Sequence, residues 1–195
     1  MAYDGIMQFS GAVLAGGKSS RFGQNKALYV YHNKPLIQWV LESLDQASER
    51  FAITKQDLHL QVPVYPDLKE GLGSLSGIHA ALSYATHDWV AIAACDLPFL
   101  SPAYWSYLQT YTKNVQVVIS QNQQGFPEPL ATLYHRSLLP MIEAQINDQD
   151  LTLHHLAKVA KTQVVSWKKL EKHFEPRLFL NANRKHDLPK QSTVE

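Results

Sequence analysis

The stretch "GAVLAGGKSSRFGQNKAL", residues 11–28, decides the reading of the chain. It opens on "GAVLA", a small and apolar run that suits a strand covered on both faces. Gly16 and Gly17 then end the run, since glycine accepts the backbone conformations a strand exit needs. Beyond them the chain turns small, polar and cationic, with Arg21 and Lys26 set around Gly23. A plain turn accounts for the glycines but has no use for that much positive potential. Backbone N–H groups freed at Gly16 and Gly17 can point at phosphate oxygens, while a guanidinium and an ammonium supply countercharge. The loop is therefore expected to hold the phosphates of a nucleotide. A Walker A loop, G-x-x-x-x-G-K-[ST], is the rival reading, and "AVLAGGKS" at 12–19 departs from it only by Ala12 in place of the first glycine. A Walker loop starts after its strand and wraps a phosphate with its middle residues. Here Val13 and Leu14 occupy those positions and belong inside the strand, which disfavours the match.

Outward from this loop, short β-rich runs alternate with helical periodicity. Strands are expected at "RFAIT" 50–54, "VPVY" 62–65, "WVAIAA" 89–94, "VQVVIS" 115–120, "LATLYH" 130–135 and "QVVSW" 163–167. Pro35 can start a helix carrying Leu36, Val40, Leu41 and Leu44, and Ser76 can cap one carrying Ile78, Ala81 and Leu82. Ser101-Pro102 begins another, and residues 137–146 and 152–160 read as two more. Such alternation implies a three-layer α/β/α arrangement around a mostly parallel sheet, with ligands bound at the carboxyl ends of the strands.

Two further loops come directly after strands. "YPDLKEGLGSLSGIHAAL" at 65–82 places Gly71, Gly73 and Gly77 before a helix, a flexible N-terminus able to meet an anion or a base edge. "VAIAACDLPFL" at 90–100 runs an apolar strand directly into Asp96. An aspartate there is where a magnesium ligand belongs, because Mg²⁺ takes one or two carboxylates together with phosphate oxygens and water. Helix capping is the plainer role for Asp96, but Ser101 is better placed to cap the helix at Pro102. Cys95 reads as a small buried residue rather than a nucleophile. Near the C-terminus, Asn181 and Asn183 are alternate residues of an expected extended segment, so their amides can share one face.

"LAGGKSSRFGQNKAL" resembles the signature L-A-G-G-x-S-x-R-M-G-x-x-K of nucleotidyltransferases with a Rossmann-like fold, and most nearly that of the molybdenum cofactor guanylyltransferases, the MobA type. Phe22 stands where the family usually has methionine. "CDLP" at 95–98 matches the family's C-D-x-P, "GSLSG" at 73–77 stands for its G-P-L-A-G, and "FLNANRKHDL" at 179–188 resembles its closing F-x-N-x-N-x-x-x-[DE]-L. The resemblance spans about residues 8 to 188 and implies a single nucleotidyltransferase domain over 1–195, with a polar tail from about 189. It implies transfer of GMP from GTP to the terminal phosphate of molybdenum-bound molybdopterin, with release of pyrophosphate. Lys26, Arg21 and Asp96 would be catalytic. Leu14, Ala15, Gly16, Gly17, Lys26, Asp67, Gly73, Gly77 and Asp96 would bind nucleotide, with Asp67 near the base or ribose. Asp96 would bind Mg²⁺, and Asn181 and Asn183 would lie on the acceptor side. "GFPEPLATLYH" at 125–135 would lead into an outer strand on the side that receives the pterin. Where the family often carries a basic, arginine-containing stretch, this chain reads "NDQDLTLHHL" at 147–156. The alternatives are a nucleotidyltransferase that uses CTP or acts on a sugar phosphate, and a nucleotide-binding regulator without turnover.

Composition narrows the remaining classes. A net charge of +1 over 195 residues marks no general affinity for nucleic acid or membrane surfaces. One cysteine, Cys95, rules out an internal disulfide, and no Cys/His spacing resembles a zinc site. No apolar run approaches the roughly 20 residues a bilayer requires, and residues 1–10 lack the pattern of a secretory signal. A cytoplasmic protein is expected, with GTP, the pterin and molybdoenzyme maturation proteins as partners and neither nucleic acid nor membrane among them.

Overall fold

The computed structural model describes residues 7–16, 25–69, 71–150, 152–183 and 187–189, without the side chains of 154, 155 and 157. Strand β1 is Ser10–Leu14, and a two-residue hairpin, β2 Val30–Tyr31 and β3 Lys34–Pro35, leads into α1, Leu36–Ser43. Next come β4 Glu49–Ile53, β5 Val64–Tyr65, α2 Ser74–Tyr84, β6 Trp89–Ala94 and α3 Pro102–Gln109. The chain then forms β7 Val117–Gln121, β8 Pro127–His135, α4 Leu139–Asn147, α5 Leu153–Val159, β9 Thr162–Val165 and the short α6, Trp167–Leu170.

Among the described residues, seven strands form one sheet in the order β5-β4-β1-β6-β8-β7-β9. β5, β4, β1 and β6 run parallel, and β7 pairs parallel with β9. β8 is antiparallel to both β6 and β7. It is thus an interior strand, not the outer strand expected from sequence. Its apolar run is equally at home in either place, so only pairing distinguishes them. Alternation along β6 sends Ala91 and Ala93 to one face and Val90 and Ile92 to the other. α1 and α3 cover the first face with Ile37, Val40, Leu41, Tyr104, Trp105 and Leu108. α2 and α4 cover the second with Leu75, Ile78, Leu82 and Ile142. The two packed layers on one sheet are the three-layer architecture expected from the alternating pattern. Buried polar groups in the first layer are satisfied: Tyr104 Oη bonds Ala131 O at 2.5 Å and Ser120 Oγ at 2.9 Å, and Trp105 Nε1 donates to Ser43 Oγ at 3.2 Å.

Several local expectations change. α2 begins at Ser74 behind Gly73, so Ser76 is not its cap; Ser76 Oγ instead donates to Lys69 O inside the first turn. Ser101 holds the N-cap position of α3 but makes no side-chain capping bond. The β2–β3 hairpin turns at His32 and Asn33, both with positive φ (48° and 61°), as a two-residue turn matched to strand twist requires. Among the described residues no helix is long and apolar enough to cross a membrane.

The strand ends opposite the cleft are tied through Glu49. Its Oε1 accepts from Ser10 Oγ at 2.5 Å, Thr86 N at 2.7 Å and Thr86 Oγ1 at 2.8 Å, with His87 Nδ1 at 3.7 Å. Partial burial pushes this carboxyl up, but the three hydrogen bonds and His87 outweigh it and hold the carboxyl below the usual range. A depressed folded pKa contributes stability that is present above the unfolded value, about 4.3, and is lost as pH falls through the folded value. Glu49→Gln is therefore expected to lower the melting temperature at pH 7 by a few degrees and to converge with the parent chain below about pH 4. Melting curves from pH 3 to pH 7 check this. A gap that stays constant with pH would remove ionised Glu49 from the stability of this end.

Candidate active site

The parallel register Leu14↔Ala94 makes β1 and β6 end side by side, with Cys95 N donating to Leu14 O at 3.0 Å. The chain therefore delivers Ala15-Gly16 and Cys95-Asp96 to the same edge. Asn25 turns the chain toward this edge: its Oδ1 accepts from Ala27 N at 3.0 Å and caps the 3-10 turn Lys26–Leu28. Lys26 Nζ then donates to Asp96 Oδ2 and, at 2.6 Å, to Asn183 Oδ1. The side chains of Lys26 and Asp96 are only 16% and 15% exposed, so the pair is poorly screened by solvent. The C-terminal segment is held there by Ala182 N donating to Asp96 O at 2.9 Å.

Beside this centre lies a cleft of about 820 Å³. Leu14, Ala15, Gly16, Asp67, Gly73 and Gly77 line it on the β1, β5 and α2 side, and Asp96 and Asn181 line it further along. The nearness of Asp67 to Gly16 is direct: a Cβ placed on Gly16 would lie 3.8 Å from Asp67 Oδ2. Gly71 and Gly73 have φ of +78° and +59°, a conformation glycine adopts without strain, and they lead into the N-terminus of α2. The unpaired N–H groups of that first turn favour an anion in the cleft.

Three expectations are refined. Gly77 is not part of a flexible loop. It is buried within α2, and a Cβ there would meet Leu14 Cδ1 at 2.9 Å, so its smallness lets the helix approach β1. Asn181 and Asn183 do reach the site, but on a tight turn in which Asn183 N donates to Asn181 O at 2.9 Å, not on an extended strand. Asn183 holds Lys26, while Asn181 lines the cleft. Gly17 and Arg21 lie outside the described residues, as do Lys18 and Gly23.

Cys95 is no nucleophile at neutral pH. Burial, and then the neighbouring Asp96 carboxylate, push its thiol up to about 12. Asp96 Oδ1 is buried and has no hydrogen-bond partner among the described residues. A buried carboxylate oxygen without a donor is costly, and a divalent cation would satisfy it. Among the described residues no group of three or more His, Cys, Asp or Glu side chains could by itself hold a metal. The donor set thus fits Mg²⁺, which completes its shell with water and phosphate oxygens rather than with a protein cage.

Sequence reasoning missed Thr54, Lys55 and Gln56, which line the cleft just after β4. The rule that ligands gather at the carboxyl ends of parallel strands points to them. It also missed Glu128, which enters from β8; the stretch at 125–135 that contains it was marked, but not this residue.

Against known proteins, the family model described as the MobA-like NTP transferase domain matches residues 11–165. The chain is 32% identical to the "Probable molybdenum cofactor guanylyltransferase" of Deinococcus radiodurans, covering 96% of this chain and 95% of that one. It is 33% identical to the protein of the same name from Carboxydothermus hydrogenoformans, covering 92% of each. Among solved structures, molybdopterin-guanine dinucleotide biosynthesis protein A of Archaeoglobus fulgidus superposes with a TM-score of 0.78 at 26% identity, covering 91% of this chain and 94% of that one. With the cleft at the ends of β1 and β6 and a match over most of its length, the chain belongs to the family of MobA-like NTP transferase domains.

Proposed function

We propose that this chain, working as one transferase domain, moves a guanylyl group from GTP to the terminal phosphate of molybdenum-bound molybdopterin and releases pyrophosphate. The observation that carries the reading is the meeting of Lys26, Asp96 and Asn183 at the edge of a cleft walled by Gly16, Gly73 and the start of α2. The relatives named as guanylyltransferases favour guanine as the base and the pterin as the acceptor.

The acceptor phosphate oxygen attacks the α-phosphorus of GTP, and the bond from that phosphorus to the α,β-bridging oxygen breaks. Its electron pair leaves with pyrophosphate. The attacking oxygen is already an anion, so no general base is required, and the difficulty is to bring two anions together. Lys26 and Arg21 supply positive charge to the phosphates, and the backbone N–H groups of Gly16 and Gly17 hold them in position. Asp67 takes the base or ribose, with Gly73 allowing close approach of backbone. Asn181 and Asn183 orient the acceptor. Asp96 would hold Mg²⁺ through Oδ1, and the ion when bound would neutralise charge developing at the α-phosphate. The proposed setting is the cytoplasm, with neither nucleic acid nor membrane as a partner and with molybdoenzyme maturation proteins receiving the product.

GTP is expected to be used over CTP, UTP and ATP by roughly 10²-fold or more, since each buried polar group left unpaired by a wrong base costs about 1–3 kcal/mol. The assay offers the four nucleotides in competition at equal concentration with Mg²⁺ and molybdenum-bound molybdopterin, and it reads the dinucleotide product and pyrophosphate. Equal cytidylyl and guanylyl incorporation would overturn the choice of base. Tight GTP binding with no pyrophosphate released would overturn the enzyme reading in favour of a nucleotide-binding regulator.

A further inference from the structure

The β7–β8 hairpin carries a carboxylate and an exposed aromatic that the reaction above does not use. Glu128 lines the cleft. Asn122 Nδ2 donates to its Oε1 at 2.8 Å, while Asn122 Oδ1 accepts from the N–H groups of Gln124 and Phe126, each at 3.0 Å. Gln123 Nε2 pins the same turn to Pro176 O at 2.9 Å. The turn is therefore braced on both sides. Phe126, just before β8, is 66% exposed and two residues from Glu128.

A negative charge is out of place in a cleft that must accept phosphates. Burial holds the Glu128 carboxyl above its usual range, Asn122 draws it down, and Asp96 raises it again. What such a carboxylate suits is a neutral ring that offers N–H donors. Its position says which ring. Asp67 reaches Gly16 at the exit of β1, and Glu128 sits on β8, with β6 between β1 and β8 in the sheet. Asp96, with the Lys26 ammonium on it, follows β6. With the donor's base at Asp67 and the phosphates at the centre, Glu128 is left at the acceptor's end.

The geometry points to Glu128 as the residue that reads the acceptor's ring. Its carboxylate accepts from the adjacent ring N–H and exocyclic amino group of a 2-amino-4-oxo heterocycle. This rests on the pterin reading of the acceptor. It names a specificity residue, not one that takes part in bond making.

The test uses the full chain and two fluorescent probes, pterin and lumazine, which differ in that lumazine has a carbonyl where pterin has the 2-amino group. Each is titrated in the presence of Mg²⁺ and GTP. The parent chain is expected to prefer pterin by about tenfold or more, the range of hydrogen bonds to a charged group. Glu128→Gln keeps a carbonyl oxygen for Asn122 but replaces the second acceptor with a donor. It is expected to weaken pterin about tenfold, to leave lumazine within about twofold, and so to abolish the preference. The preference for GTP over ITP, which lacks the same amino group, should be unchanged in Glu128→Gln. Retention of the pterin preference in Glu128→Gln overturns the assignment. Loss of the GTP preference instead would move Glu128 to the donor base, and a raised Mg²⁺ requirement with the pterin preference intact would make it a metal ligand. A parent chain that prefers pterin yet transfers no guanylyl group would count against the reaction proposed above while leaving Glu128 in place.

Discussion

Asp96→Asn is expected to lower guanylyl transfer by about 10²-fold or more while leaving the fold intact. The side chain sits where β6 hands over to its loop, and its two oxygens have different surroundings. Oδ2 accepts from the Lys26 ammonium, and Oδ1 is buried without a donor among the described residues. An amide keeps the shape and can still offer one oxygen to Lys26. It then places an NH₂ group where the second carboxylate oxygen was. That group cannot hold a cation, and it presents a donor in place of an acceptor. The anchoring bond from Ala182 N to Asp96 O is made by backbone and survives the change. Loss of turnover with unchanged far-ultraviolet circular dichroism is the expected pattern, together with a lower melting temperature because the poorly exposed Lys26 ammonium loses the Asp96 charge. Pyrophosphate release near the parent rate, with its Mg²⁺ dependence intact, would remove Asp96 from the proposed metal site.

How much of this site was legible in the sequence depends on how local each signal is. Asp96 was legible because an apolar strand ends on it, and Gly16 because glycine marks where β1 ends. The meeting of the parts was not. Lys26 lies 70 positions from Asp96 and 157 from Asn183, and no spacing rule links such positions. Fold class came through in the alternation of strands and helices, and the strand at 89–94 matches β6 residue for residue. The place of β8 between β6 and β7 did not, because an apolar run reads the same whether its neighbours are parallel or antiparallel. That insertion is what carries Glu128 into the cleft, so the residue was hidden for a topological reason. Ser76 shows the opposite limit. It has the right chemistry for a cap, yet Gly73 at φ +59° starts the helix earlier and leaves Ser76 to bond Lys69 O.

Lys26→Ala is expected to cost about 10²-fold or more in turnover, whereas Lys18→Ala should cost far less. The contrast separates the two readings of the glycine-rich loop, because a Walker-type loop would place its working lysine at 18. Lys26 also has a structural share. Its ammonium neutralises Asp96 and bonds Asn183, so it joins the first loop, the end of β6 and the C-terminal segment. Removing it leaves a carboxylate that is only 15% exposed without its cation, and an uncompensated buried charge is strongly destabilising. Lys26→Ala should therefore melt lower as well as turn over slowly, and a slow enzyme alone would not distinguish lost chemistry from a loosened site. The double variant Lys26→Ala/Asp96→Asn makes the distinction. With both charges gone, the penalty for stranding Asp96 disappears and the melting temperature should recover most of the way to the parent value. Turnover should stay as low as in either single variant, because both the phosphate countercharge and the metal ligand are missing. Recovery of turnover together with stability would show that Lys26 serves only to neutralise Asp96. A crippling effect of Lys18→Ala beside a mild one of Lys26→Ala would instead shift the phosphate contact to the Walker position.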